Sequence, residues 1–340
     1  MTDQVAVLGA GLIGTSVALS LSEVGWETVG WDPDPGVMAS LRDLGSFDAL
    51  ADTPAEAVAG ADLVVLAGPP SSVPLLLGKL QTTALVTDLA GVKAGIAEAG
   101  QRLDHFVSSH PMAGREVSGP AAASPSLFRG AVWIVISDGA VAEDLDRMET
   151  IVTSVGSNPV RMTAAEHDDA VAVISHLPQV LAAALVGEAA EHPAGIGLAS
   201  GSFRDLTRVA ASNPDLWTEL LVGNGGPLSA VLEAYADRLH RWAAAVREGN
   251  ADDVAQNLHR AGEIRRAMAP PAVAVAVALA DQPGELAKVG RALESSKVDV
   301  RDLQLRHATY GGGGILTLSV RPGEAETLKS ALEAEGLLLA

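Results

Sequence analysis

Short runs of β-branched and aliphatic residues alternate with helix-like stretches through the first half of the chain. Val5 to Leu8, Thr28 to Trp31, Leu63 to Ala67, Leu85 to Asp88, Phe106 to Ser109 and Val132 to Ile136 read as strands. Such alternation predicts an α/β architecture, a doubly wound and mainly parallel sheet with helices on its faces. From about Thr163 to Met268 the pattern changes to long Ala- and Leu-rich stretches with acids and arginines at helical spacing. These are broken at His192-Pro193, Asn213-Pro214 and Gly223 to Pro227, and they predict an all-helical second domain. Ala269-Pro270-Pro271 reads as a linker. Beyond it an apolar strand, a helical GELAKVGRALESS, two strands around a Gly311 to Gly314 turn and a closing helix suggest a small βαββα(β) module of the α+β class. The expected domains are therefore 1–162, 163–268 and 272–340. No period of 20 to 50 residues marks a repeat protein.

Composition narrows the function classes. With 340 residues, 48% of them hydrophobic and 19% charged, the chain can bury two or three cores of ordinary size. No stretch reaches the ~20 uninterrupted apolar residues of a membrane helix, and the N-terminus enters a strand pattern without a signal-like region. A cytoplasmic protein with no membrane partner is expected. There is no cysteine, which excludes thiolate metal sites and cysteine nucleophiles, and no metal is expected. A net charge of -19 argues against nucleic acid as a partner. It also repels an anionic substrate, so such a ligand needs cations concentrated at its site.

Gly9-Ala10-Gly11-Leu12-Ile13-Gly14 follows an apolar strand directly and opens a helical run. In that context Gly9 permits the tight turn, Gly11 lets a pyrophosphate approach the helix N-terminus, and Gly14 packs helix on strand. The next strand ends at Asp32, near the expected spacing of about 20 residues, where a carboxylate accepts ribose hydroxyls and repels a 2′-phosphate. A Rossmann-type domain binding NAD is the reading, with Leu12, Ile13 and Asp88 also at the cofactor. Ala67-Gly68-Pro69 form a second loop at the carboxyl edge of the sheet. The alternative is that these glycines only make a strand-to-helix turn.

A cofactor fold does not name a substrate. Ser109-His110-Pro111-Met112-Ala113-Gly114-Arg115-Glu116 sits just after the fifth predicted strand, at the edge where a nicotinamide is expected. His110 is the candidate general base, its ordinary pKa of about 6.5 suiting proton acceptance near neutrality; the bland reading is a histidine capping a loop. Ser175 and His176 fall on a long apolar helix, where a lone histidine is usually a satisfied core residue and where Pro178 predicts a kink.

The segments SHPMAG, Thr87 to Lys93 (TDLAGVK), Ser175 to Gln179 (SHLPQ) and Phe203 to Ala210 (FRDLTRVA) resemble, in this order, the prephenate/arogenate dehydrogenase family over residues 1 to about 265. The resemblance implies a Rossmann domain, a helical domain that builds a homodimer, and an active site between them. It implies that His110 accepts the proton of a ring hydroxyl and that Arg208 holds a carboxylate of a dianionic substrate. Ser175, His176, Gln179, Glu116, Arg204, Asp205, Trp217 and Gly91 would surround them. The C-terminal module looks like an ACT domain, and Asp281 to Leu286 (DQPGEL) resembles the loop with which such modules bind an aromatic amino-acid effector. Two positions depart from the pattern. Gly91 stands where a serine is common, leaving space that a water would fill, and Gln179 stands where many members have a second histidine.

The expected reaction is NAD-dependent oxidative decarboxylation of prephenate. Arogenate is an alternative that Gln179 does not decide, and Gly91 keeps open a substrate altered at ring C4, such as 4-amino-4-deoxyprephenate. A β-hydroxyacid or imine-type dehydrogenase would share the glycine loop and Asp32, but such enzymes generally carry a catalytic lysine on the first long interdomain helix. Ala164 to Ala190 contains none. A non-catalytic NAD or amino-acid sensor is the remaining reading from another class.

Overall fold

The computed structural model describes residues 2–114, 117–199, 201–268, 272–307 and 313–340. Glu116, the predicted linker and part of the Gly311 to Gly314 turn lie outside them. Twelve strands occur among the described residues: β1 Gln4–Leu8, β2 Glu27–Trp31, β3 Ala49–Leu50, β4 Leu63–Leu66, β5 Leu85–Asp88, β6 Ser109–Pro111, β7 Val132–Ile136, β8 Asn158–Met162, β9 Val273–Leu279, β10 Val300–His307, β11 Gly314–Val320 and β12 Leu338–Leu339.

β1 and β4 are almost wholly apolar because both faces of a central parallel strand are covered. They lie in a parallel sheet of order β3-β2-β1-β4-β5. Alternate side chains serve two cores: Val5 and Val7 pack with Val17, Leu21 and Phe128, whereas Ala6 and Leu8 pack with Val73, Leu77 and Phe106. The doubly wound reading therefore holds, with one correction. The run Phe106 to Ser109 is not one strand. Phe106 bridges Val86 of β5, while Ser109 begins β6, which pairs antiparallel with β7. The motif SHPMAG thus starts inside a strand rather than after it, and backbone bonds from Val107 to Val86 and from Ile136 to Ser108 link the two sheets.

The chain divides into two compact units, residues 1–237 and 238–340. This division departs from the expected boundary at 268. The helices Gly201–Thr207, Pro214–Gly223 and Ala251–Ala267 bury no residue within the chain, so the helical region has too little core of its own to separate as a unit. A second correction concerns length. Helix Ala164–Val171, a π turn Ala172–His176 and helix Leu177–Ala190 are continuous, and together are long and apolar enough to cross a membrane by length and composition. The buried polar side chains of this run, His167, Asp168, His176 and Gln179, each have a protein partner.

In the second unit, β9 to β12 form an antiparallel sheet of order β10-β11-β9-β12. Helices Glu285–Ser296 and Ala325–Ala334 pack on it through Val289, Ala292, Leu328 and Leu332 against Val275, Val277, Leu316 and Leu318. The element order is βαββαβ.

Candidate active site

The glycine loop joins β1 to helix Leu12–Glu23. Gly9 has φ +101°, and a Cβ there would stand 2.8 Å from the backbone of Ala67 and Gly68; a Cβ on Gly14 would stand 2.0 Å from the Gly9 carbonyl oxygen. Both positions are closed to any side chain. Gly11, in contrast, has nothing within 4 Å of a Cβ, and no side chain caps the helix it precedes. Leu12, Ile13 and Gly14 therefore begin the helix with amides that have no intrahelical acceptor, as at every helix start. Asp32 follows β2 directly, and its carboxylate is oriented by the amides of Ala10 (2.8 Å) and Asp34 (2.9 Å). An open glycine, uncapped amides and an oriented carboxylate fit the pyrophosphate and ribose of a dinucleotide. Ala67, Gly68 and Pro69 form the adjoining loop, tied down where Ser72 Oγ donates to the Pro69 carbonyl (2.8 Å).

Asp88 is placed differently from expectation. It is fully buried, and its carboxylate pairs with Lys93 and accepts from Ser108 and the Ala90 amide. It is an internal strut rather than a cofactor contact. Lys93 is itself fully buried and also donates to the Ser109 carbonyl (2.7 Å) and Ser108 Oγ (3.1 Å). Burial pulls its pKa below the ordinary lysine value against the attraction of Asp88. The ion pair thereby fixes the strand that carries His110.

His110 is half-buried on β6. Its Nδ1 lies 2.9 Å from His167 Nε2, and His167 Nδ1 lies 2.8 Å from Asp168 Oδ1. Asp168 also accepts the amides of Lys93 and Ala94, each at 2.9 Å. Burial alone would raise the Asp168 pKa, but these bonds from His167, Ala94 and Lys93 outweigh it and hold the group below the usual carboxylate range. The pKa of His110 is lowered well below 6.5, first by burial, then by the positive charge of Lys93 and by His167 and His176. The imidazole is neutral at physiological pH, as a base must be.

Sequence reasoning missed His167, Asp168, Lys93 and Asn224. The one available signal was Thr163 with Glu166, which form a capping box and so set the phase of the following helix. That phase turns His167, Asp168 and Val171 inward together. In an unbroken α-helix, residues nine apart face opposite sides; the extra residue of a π turn changes the phase by about 100° and brings His176 toward the side of His167. His176 is buried, accepts from Asn224 Nδ2 (3.1 Å) and meets the Trp217 ring edge-on at 6.1 Å. Asn224 also donates to the Asp168 carbonyl (2.7 Å). Ser175 is half-buried beside it.

Helix Pro214–Gly223 closes over these groups. Glu219 accepts the Ser71 amide (3.0 Å), and Leu220 reaches Gly91. A Cβ on Gly91 would stand 2.9 Å from Leu220 Cδ2 and 3.7 Å from His110 Nε2. The space beside Gly91 is thus taken by a leucine methyl, not left for water. Gln179 is buried and donates to the Val209 carbonyl (3.0 Å), which connects it to the 3-10 turn Arg208–Ala211 bearing the exposed Arg208. Arg204 and Asp205 are exposed on the preceding helix.

The geometry is matched by similarity to known proteins. Residues 17–161 match the model of the prephenate dehydrogenase nucleotide-binding domain, and residues 163–260 match that of the prephenate dehydrogenase dimerization domain. The chain belongs to the prephenate dehydrogenase family. Within the family it is 30% identical to a cyclohexadienyl dehydrogenase of Zymomonas mobilis over 78% of this chain and 95% of that one. It is 27% identical to a prephenate dehydrogenase of Bacillus subtilis over 94% and 92%. Among solved structures, Synechocystis arogenate dehydrogenase is similar with TM-score 0.69 and 28% identity, over 78% of this chain and all of that one. In this family member His110 comes from the first matched segment and His167 from the second, so the site is assembled across their junction.

Proposed function

We propose that the protein catalyses the NAD-dependent oxidative decarboxylation of prephenate to 4-hydroxyphenylpyruvate, a step of tyrosine biosynthesis. The observation that carries this reading is His110: a neutral imidazole whose Nε2 edge faces Gly91, in a chain that also carries the open glycine loop and Asp32. NAD, when bound, supplies the acceptor for the hydride that leaves ring C4. His110 takes the proton of the C4 hydroxyl, the electron pair left as the ring carboxylate departs as carbon dioxide completes the aromatic ring, and the resulting phenolate takes the proton back from His110; aromatisation drives the step downhill. Arg208 binds a substrate carboxylate through a planar, bidentate guanidinium and offsets the repulsion of a chain with net charge -19. The remaining work is positioning, which lowers barriers substantially.

A specific observation favours arogenate as the second reading. The Gln179 amide nitrogen is committed to the Val209 carbonyl, and the buried Gln179 Oε1 has no hydrogen-bond partner among the described residues. The unused group is an acceptor, and the ammonium of arogenate is a donor where prephenate has a keto oxygen. The test is reduction of NAD by the purified protein with prephenate or arogenate at equal concentration. Turnover of either supports the reaction class, the ratio of kcat/KM names the substrate, and turnover of neither overturns both readings.

In the same reading the protein is a homodimer built through its helical region. Leu198, Leu206 and Val222 are 83%, 68% and 76% exposed within one chain, and all fall in the segment matching a dimerization domain. The βαββαβ module acts as an ACT-like regulatory domain. A hollow lined by Ala280, Asp281, Gln282, Gly284, Leu305 and Gly314 supports an amino-acid effector at the DQPGEL loop.

A further inference from the structure

We infer that Asp168 and His167 form a buried relay that holds His110 in the tautomer protonated on Nδ1, leaving its Nε2 free to accept on the Gly91 side. Both are positioning residues, and the inference rests on His110 being the base of the reaction proposed above.

The order of donors follows from the end of the chain. An ionised carboxylate only accepts hydrogen bonds. Asp168 already takes two backbone amides, which hold its charge without a cation, and its third bond is to His167 Nδ1. His167 must therefore carry its proton on Nδ1. In the relay His167 is neutral, so its one ring proton is on Nδ1 and Nε2 is a bare lone pair in a completely buried side chain. It faces His110 Nδ1 at 2.9 Å, and that contact is a hydrogen bond only if His110 donates. The proton of His110 is then on Nδ1. Nε2 is left unprotonated, and among the described residues it has no protein partner.

The relay compensates for what the pocket wall lacks. Neither Gly91 nor Leu220 has a polar side chain to offer Nε2, so among the described residues no side chain on that side selects the tautomer. The choice is made from behind the ring, as the partner of one imidazole nitrogen generally decides the state of the other. His176 and Lys93 also act on His110 electrostatically, but neither is hydrogen-bonded to its ring. Lys93 serves the relay in another way, since its amide anchors Asp168 while its ammonium anchors Ser109.

The experiment uses the full-length protein labelled with 15N in its histidine rings, the His110 signals being identified by their loss in His110→Asn. The expected spectrum near neutral pH shows His110 protonated at Nδ1 and bare at Nε2. A His110 protonated at Nε2, as a cationic His167 would require, overturns the relay. In parallel, His167→Ala is expected to lower kcat by at least about tenfold with KM within about threefold, because a base in the wrong tautomer fails in turnover rather than binding. His167→Gln, which retains an acceptor toward His110, is expected to recover part of the loss. Unchanged kcat in His167→Ala sinks the idea. Should that variant fail to fold, the ring spectrum of the wild type and the kcat of His167→Gln against Asp168→Asn still decide. If the wild-type protein oxidises neither prephenate nor arogenate, the functional reading fails, while the ring spectrum judges the tautomer on its own.

Discussion

His110 acts as a base because its surroundings disfavour its proton. Its folded pKa is depressed below 6.5 by burial and by Lys93, so the neutral, active form persists at pH values where a free histidine is half protonated. The acid limb of kcat/KM is therefore expected below pH 6.5, and a limb at or above it would contradict the assignment. The same depression has a stability consequence. The unfolded state binds more protons between the folded pKa and 6.5, so the contribution of His110 to stability is complete above 6.5 and is lost as pH falls toward the folded value. His110→Asn should lower kcat by about 100-fold or more, whereas Arg208→Gln should mainly raise KM; steady-state kinetics on the two variants separates base from anchor. Gly91→Ser presses on Leu220 Cδ2, and Leu220→Ala relieves the contact. The double-mutant cycle is expected to show coupling of about 1 kcal/mol, and strict additivity in the activity data would mean that Leu220 does not fill that space.

At the scale of elements, the site depends on how strands and helices are pinned. β6 is too short to hold His110 by its ladder alone, and the Lys93–Asp88 pair does so from beneath. Lys93→Met leaves the Asp88 charge buried without its cation and should cost about 3–5 kcal/mol in urea unfolding. Lys93→Met with Asp88→Asn should recover much of it, because the penalty comes from the unpaired charge. The long helix 164–190 illustrates what a sequence reading reaches. Its apolar pattern and Pro178 predicted a helix with an irregularity, and the irregularity is the π turn ending at His176, two residues before the proline. A ring without an N–H leaves a carbonyl one turn earlier unpaired, but whether the chain bends or takes a π turn depends on what packs beside it. The two-stranded bridge at Phe106 was illegible for a similar reason, since a short apolar run does not disclose its partners.

At the scale of the molecule, the helices beyond residue 193 expose apolar side chains such as Leu198, Leu206 and Val222, the surface on which the proposed dimer rests. Val222→Asp, at a side chain 76% exposed within one chain, should shift sedimentation from twice the chain mass expected of the proposed dimer to the 34.7 kDa of one chain. A wild-type protein that sediments as a single chain would remove the dimer from the proposal.

Local signals sufficed for the strand-turn-helix of the cofactor loop, Asp32, the motif around His110 and the order βαββαβ, because each is a short-range pattern of period, turn chemistry or spacing. Asp88 misled for the same reason: its position near the sheet edge was readable, but its burial against Lys93 was not. The Asp168–His167–His110 chain joins His110 to an adjacent pair that begins 57 positions later, and Leu220 meets Gly91 across a still longer interval. Such contacts have no local pattern to betray them. Only the packing of the helices against the sheet decides which imidazole meets which carboxylate, and so which nitrogen of His110 is free.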